Sequence, residues 1–174
     1  MKILFRLALV ALVLLGGAWL YGRSLPRDHI VSSTIVLVSP ADSVWRVIRN
    51  FEDTPAWWSD LKAARRVSGT RETWEQDMGT SGTMRIEVTS ETPGRRLVTS
   101  VLNDDQEDWG GTWTYDVVAS GPGTEVTITE NGWVERPLFR VVLKYRGVHR
   151  TVDGYLRSLA ARFGEVATPR RGRD

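Results

Sequence analysis

The chain has 174 residues, 41% hydrophobic and 25% charged, with a formal net charge of +2 and no cysteine. These values exclude a disordered chain, a disulfide scaffold, thiolate catalysis and thiolate metal sites. Lysine is confined to Lys2, Lys62 and Lys144, and arginine is interleaved with acid, so no nucleic-acid-binding stripe forms.

Residues 1–22 open with Met1–Tyr21, MKILFRLALVALVLLGGAWLY, uncharged from Leu7 to Tyr21. Extended back to Ile3, with Arg6 snorkelling to the headgroups, the apolar run (residues 3–21) has the length of a membrane span. Trp19 and Tyr21 suit an interfacial aromatic belt. The expectation is a single-pass anchor with a cytoplasmic N-terminus and an exported domain, since the α-amino group, Lys2 and Arg6 lie at the N-terminal end of the span, although Arg23 and Arg27 follow it. The alternative is a signal peptide cut near Gly16-Gly17-Ala18, leaving a soluble exported domain.

After a linker (23–28), a domain is expected over 29–165. His29–Val38 is β-branched and reads as a strand. Ser39 as N-cap, Pro40 at the first helical position and Asp42 open a helix with Val44, Trp45, Val47, Ile48 and Phe51 on its apolar face. Thr54–Ser59 is a turn or short second helix. Strands follow over Leu61–Gly69, Arg71–Met78, Thr83–Ser90, Arg96–Leu102, Thr112–Val118 and Thr124–Val134. The acidic stretch Asn103–Gly111 reads as a loop, since NDDQED lacks the glycine and downstream glutamate of a calcium loop. Pro137 opens a long helix to about Gly164, with Leu138, Val142, Tyr145, His149, Val152, Leu156, Leu159 and Phe163 in one stripe. Residues 166–174 read as a disordered basic tail. The fold class is therefore α+β, a curved antiparallel sheet of about seven strands whose one face is covered by the long C-terminal helix.

Strand parity puts Trp74, Gln76 and Met78; Met84, Ile86 and Val88; Trp113, Tyr115 and Val117; and Val126, Ile128, Glu130 and Gly132 on the covered face. The candidate ligand-lining set is Trp74, Met84, Ile86, Trp113, Tyr115, Ile128, Glu130, Tyr145, His149 and Val152. Trp74, Trp113 and Tyr115 read first as plain core and second as ligand contacts. Glu130 and His149 are the candidate acid–base pair, because a carboxylate beside an imidazole in an apolar chamber tunes both. The bland alternatives are a hydrogen-bonded core histidine and a carboxylate paired with arginine. His29 is expected in solvent. Trp57-Trp58 forms either a lid or a helix packed on the sheet rim. With two histidines and no cysteine, neither a metal site nor a cofactor is expected.

The run Thr34–Trp45 (TIVLVSPADSVW), Phe51, Pro55-Ala56-Trp57, Gly111–Tyr115 (GTWTY), Thr127–Gly132 (TITENG) and Tyr155–Leu159 (YLRSL) resembles the START-like helix-grip superfamily, also called SRPBCC. It looks most similar to the polyketide cyclase/dehydrase and lipid-transport branch. The resemblance implies a sheet wrapped around a long C-terminal helix with a cavity between them. Such families include lipid and sterol carriers, hormone receptors, coenzyme Q binding proteins and aromatase/cyclases. It transfers no catalytic motif. Three functions remain in play. One is tethered binding of a lipid or isoprenoid-like small molecule; the second is a cyclase or dehydratase; the third is a ligand-free interaction module at the membrane.

Overall fold

The computed structural model describes residues 2–102 and 108–172. The expected acidic loop falls mostly on residues 103–107, outside the described residues; Asp108, at its end, is paired with Arg136.

Helix α1 (Lys2–Ser24) is the one described helix long and apolar enough to cross a membrane, its most apolar 18 residues having a mean hydropathy of 2.3. Its 23 residues extend about 34 Å at 1.5 Å per residue. Strand β1 (Asp28–Leu37) follows, then α2 (Ala41–Arg49) and a single 3-10 turn at Thr54–Ala56. The β-branched run of β1 and the amphipathic spacing of α2 fold as their sequences dictate. Val44, Trp45 and Ile48 are buried, and Phe51 is buried just beyond the helix end.

A meander of strands completes the sheet: β2 (Ala63–Val67), β3 (Thr73–Asp77), β4 (Thr83–Thr92), β5 (Arg96–Leu102), β6 (Trp109–Ser120) and β7 (Gly123–Val134). Strand β7 then pairs with β1, so the first strand closes the far side. An eighth strand, β8 (Arg170–Arg171), pairs with β1 at Ser33 and Thr34. The tail expected to be disordered therefore contributes the last edge of the sheet. Its Gly172 N–H donates to Ser32 O at 2.8 Å, continuing that pairing.

The long C-terminal helix is interrupted. Helix α3 (Pro137–Arg146) ends at Gly147, and α4 (Arg150–Arg162) starts after His149. Gly147 has φ +85°, a conformation open to glycine and strained for other residues. The break lets the two halves serve different partners. Helix α4 lies on the sheet and buries Val152, Tyr155, Leu156, Leu159 and Ala160. Helix α3 buries no residue fully and packs on α1 instead, where a Cβ at Gly22 would stand 2.1 Å from Pro137 O. The stripe read as one face is thus two faces pointing to two surfaces.

Ser39 does not cap α2. Its hydroxyl donates to Glu165 Oε1 at 2.7 Å, and the backbone N–H groups of Val38 and Ser39 donate to the same carboxylate at 2.7 and 3.1 Å. Glu165 thereby fastens the end of α4 to the β1–α2 turn. Gly164 (φ +71°) ends α4, with the N–H groups of Gly164 and Glu165 returning to Ala161 O and Ala160 O.

Candidate functional site

The register across four neighbouring strands builds the covered face in rows. Leu97, Tyr115, Ile128 and Ser33 stand side by side across β5, β6, β7 and β1, and the next row is Thr99, Trp113, Glu130 and Val31. The alternation expected from the sequence holds: Tyr115, Val117, Val126 and Ile128 are buried. Tyr155 of α4 descends onto these rows. Its ring centre lies 5.1 Å from both Trp57 and Trp58, 5.7 Å from Tyr115 and 5.9 Å from Trp113. Trp58 and Trp113 are 6.2 Å apart. Five aromatic rings thus fill the space between sheet and helix, most of them edge to face, the arrangement the ring quadrupoles favour.

Two polar atoms in this cluster are unanswered. Among the described residues, Nε1 of Trp57 and Nε1 of Trp58 are buried without an acceptor. A buried donor left unmade costs on the order of 1–3 kcal/mol. Burial pushes the Tyr115 phenol well above its ordinary range, against a hydrogen bond with Thr99. Burial, with the Tyr115 phenol nearby, raises Tyr155 as well. Both phenols stay neutral in any physiological setting, so the chamber offers uncharged hydroxyl and indole groups.

The expected Glu130–His149 pair is not formed. Glu130 Oε1 instead meets His29 Nε2 at 3.2 Å, with the two side chains 21% and 16% exposed. His29 is not in solvent, because β1 begins at Asp28 and its parity places His29 on the same face as Val31 and Ser33. Gly132 lies directly opposite, and a Cβ there would stand 2.7 Å from the imidazole. His149 sits in the α3–α4 junction, buried at 6% exposure. Its Nδ1 lies 3.3 Å from Ser33 Oγ, and Ser33 donates to Asp153 Oδ1 at 2.6 Å. The hydroxyl has one proton, given to Asp153, so the imidazole N–H donates to the serine oxygen. Arg171 of β8 closes the cluster on Asp153 Oδ2 at 2.8 and 3.1 Å. Serine, histidine and aspartate meet here, but the carboxylate holds the serine rather than the imidazole. Ser33 thus ties the first strand to the start of α4 through Asp153.

Trp74 is buried, packs on Phe51 at 5.5 Å and donates its N–H to Glu72 Oε1 at 2.9 Å. Ile86 lies opposite Trp74, and Met84 opposite Gln76. Ile128 and Val152 are fully buried. Tyr145 departs from the expected set: it is 77% exposed on α3, on the α1 side of the helix break. Sequence reasoning missed Ser33, Asp153, Arg171 and the central place of Tyr155. Parity along Val31–Ser33–Ile35 and the four-residue spacing of His149 and Asp153 were the available signals. A groove of about 380 Å³ on the opposite face of the sheet is lined by Ser100, Gly110, Thr112, Asn131 and Trp133 among others.

An antiparallel sheet folded around a C-terminal helix, with an aromatic interior between them, is the START-like helix-grip architecture. Residues 28–164 match the family described as polyketide cyclase / dehydrase and lipid transport, and the chain belongs to it. A START superfamily protein from Mycobacterium smegmatis is similar in structure, with TM-score 0.63 and 17% identity over 77% of this chain and 96% of that one. The di-domain ARO/CYC StfQ from the steffimycin biosynthetic pathway gives TM-score 0.63 and 13% identity over 78% of this chain, which spans 50% of that one. Truncated norcoclaurine synthase from Thalictrum flavum gives TM-score 0.61 and 9% identity over 76% of this chain and 91% of that one. At these identities the likeness is one of fold. A search of curated protein sequences found no match.

Proposed function

We propose that this chain is a membrane-tethered domain that binds a hydrophobic small molecule, lipid or isoprenoid-like, between the sheet and α4. One observation carries the reading: the buried, unanswered indole donors of Trp57 and Trp58 beside Tyr155. An apolar molecule with a carbonyl or hydroxyl oxygen would satisfy at least one of them while its hydrocarbon part meets the aromatic walls. Family membership supports a ligand-binding role of this kind. The apolar α1 supports tethering with the N-terminus cytoplasmic and the domain exported.

A second reading, a cyclase or dehydratase, has the His29–Glu130 pair in its favour. A carboxylate and imidazole in contact beside the neutral Tyr115 phenol could exchange protons with a carbon next to a carbonyl.

The test is native mass spectrometry of the full chain extracted from expressing membranes, before and after organic extraction. A co-purifying apolar species of defined mass, lost on extraction, is expected. A bare polypeptide mass across several detergents would overturn the binding reading.

A further inference from the structure

Helix α3 leaves the sheet and is held at the level of the last turns of α1. The close approach of Gly22 to Pro137 fixes one point. The Arg140 guanidinium fixes another, donating to Val134 O, Glu135 O and Leu25 O at 2.7, 2.8 and 3.4 Å. The Lys144 ammonium lies over the Tyr21 ring at 5.3 Å, a third. These contacts set α3 beside Trp19–Leu25, the stretch where the apolar span gives way to polar chain.

A second face of α3 is apolar and exposed, bordered on the α1 side by Tyr145, whose hydroxyl meets that of Tyr21. Leu138 is 41% exposed, Phe139 57%, Val142 47% and Tyr145 77%. Leu138, Val142 and Tyr145 recur at helical spacing, so they form a stripe. The helix also contains Arg140, Lys144 and Arg146 and no acidic residue. An apolar stripe flanked by cations fits the boundary between headgroups and acyl chains, where apolar area and attraction to headgroup phosphates both contribute.

We infer that α3 lies in the plane of the membrane surface, its Leu138–Tyr145 stripe inserted into the phospholipid leaflet from which α1 emerges. This rests on the tethering reading above. Continuity with the span selects a bilayer over other occupants: a helix fixed to the last turns of a transmembrane segment is at headgroup depth. The exposure of Leu138, Phe139 and Val142, which no other part of the described chain covers, follows from it. So does the break at Gly147, which frees α3 from the direction of α4.

The chain has no cysteine, so single sites can be labelled in the full protein. Val142→Cys and Tyr145→Cys would be spin-labelled and reconstituted in mixed phosphatidylcholine and phosphatidylglycerol vesicles. Collision rates with oxygen, which partitions into lipid, would be compared with those of a water-soluble nickel chelate. Ala11→Cys reports the span itself, and Val118→Cys, 57% exposed on the sheet, reports water. At Val142 and Tyr145 the oxygen-to-nickel ratio should exceed that at Val118 by several-fold and fall below that at Ala11. Water-like ratios at Val142 and Tyr145 with a lipid-like ratio at Ala11 would overturn the inference and leave the tether standing. Water-like ratios at all sites would overturn both. Labels shielded from both quenchers would mean a protein covers the stripe, and would overturn the lipid assignment.

Discussion

Ser33 is a small polar residue in an aliphatic row: its neighbours on the covered face of β1 are Val31 and Ile35, all three buried. Its hydroxyl answers one oxygen of the buried Asp153 and meets the His149 imidazole. A buried carboxylate needs every hydrogen bond it can collect, and Asp153 collects one from Ser33 and two from Arg171. Ser33→Ala should therefore cost about 1–3 kcal/mol, the penalty for leaving a buried polar partner unmade. Urea unfolding would read it. The neighbouring Ser32, on the opposite face, accepts from Thr129 at 3.2 Å in a partly wet site, and Ser32→Ala should cost about 0.5 kcal/mol. Equal losses would mean the cluster contributes no more than an ordinary surface hydroxyl.

At the scale of elements, the strands were legible and the helices only in part. A period of two survives along β1, β3 and the middle of β6 and β7 because one side of the sheet is buried, so Trp113, Tyr115, Ile128 and Val126 fall where alternation puts them, whereas β4 buries Ile86 and Glu87 side by side ahead of a bulge at Val88. The continuous stripe from Leu138 to Phe163 concealed a division, because apolar periodicity reports that a face is covered and not by what. Gly147 was the visible sign, since glycine inside a helix costs about 1 kcal/mol relative to alanine. The error over His149 and Glu130 follows from the same break, together with the parity of β1, which sets His29 on the covered face with Val31 and Ser33. Helix α4 is also secured from its far end by Glu165. Burial alone would raise this carboxyl, but its hydrogen bonds from Ser39 and Val38 outweigh burial and hold it below its ordinary 4.5. A carboxylate depressed on folding stabilises the protein fully above its unfolded value. That contribution is lost as pH falls through the folded value. Unfolding free energy should thus decline from about pH 4.5 downward. Glu165→Gln should be less stable at neutral pH and should show a shallower decline in an acid titration. Parallel profiles for the two proteins would remove Glu165 from the account.

For the whole molecule, the ligand question reduces to the interior shared by sheet, 3-10 turn and α4. Trp58→Phe keeps an aromatic ring against Tyr155 and Trp113 but deletes the unanswered donor. Two opposing terms act on the free protein. A smaller ring leaves a void, while removal of an unpaired N–H relieves a penalty of about 1–3 kcal/mol. The thermal midpoint should move little. Ligand retained through purification should fall several-fold, measured by mass spectrometry against the parent chain. Unchanged retention would show that no ligand oxygen meets this indole.

The placement of β8 has a consequence for behaviour in crowded solution. An open sheet offers unpaired backbone at its two outer strands, and such margins recruit other chains. Here both margins carry arginine pairs, Arg65-Arg66 on β2 and Arg170-Arg171 on β8. Removing residues 168–174 would strip one margin back to β1, whose Ile30 and Val36 are 61% and 51% exposed. Light scattering on the shortened chain should then detect self-association that the full chain resists. In that sense two residues of a basic tail act as the molecule's guard against recruiting its own copies.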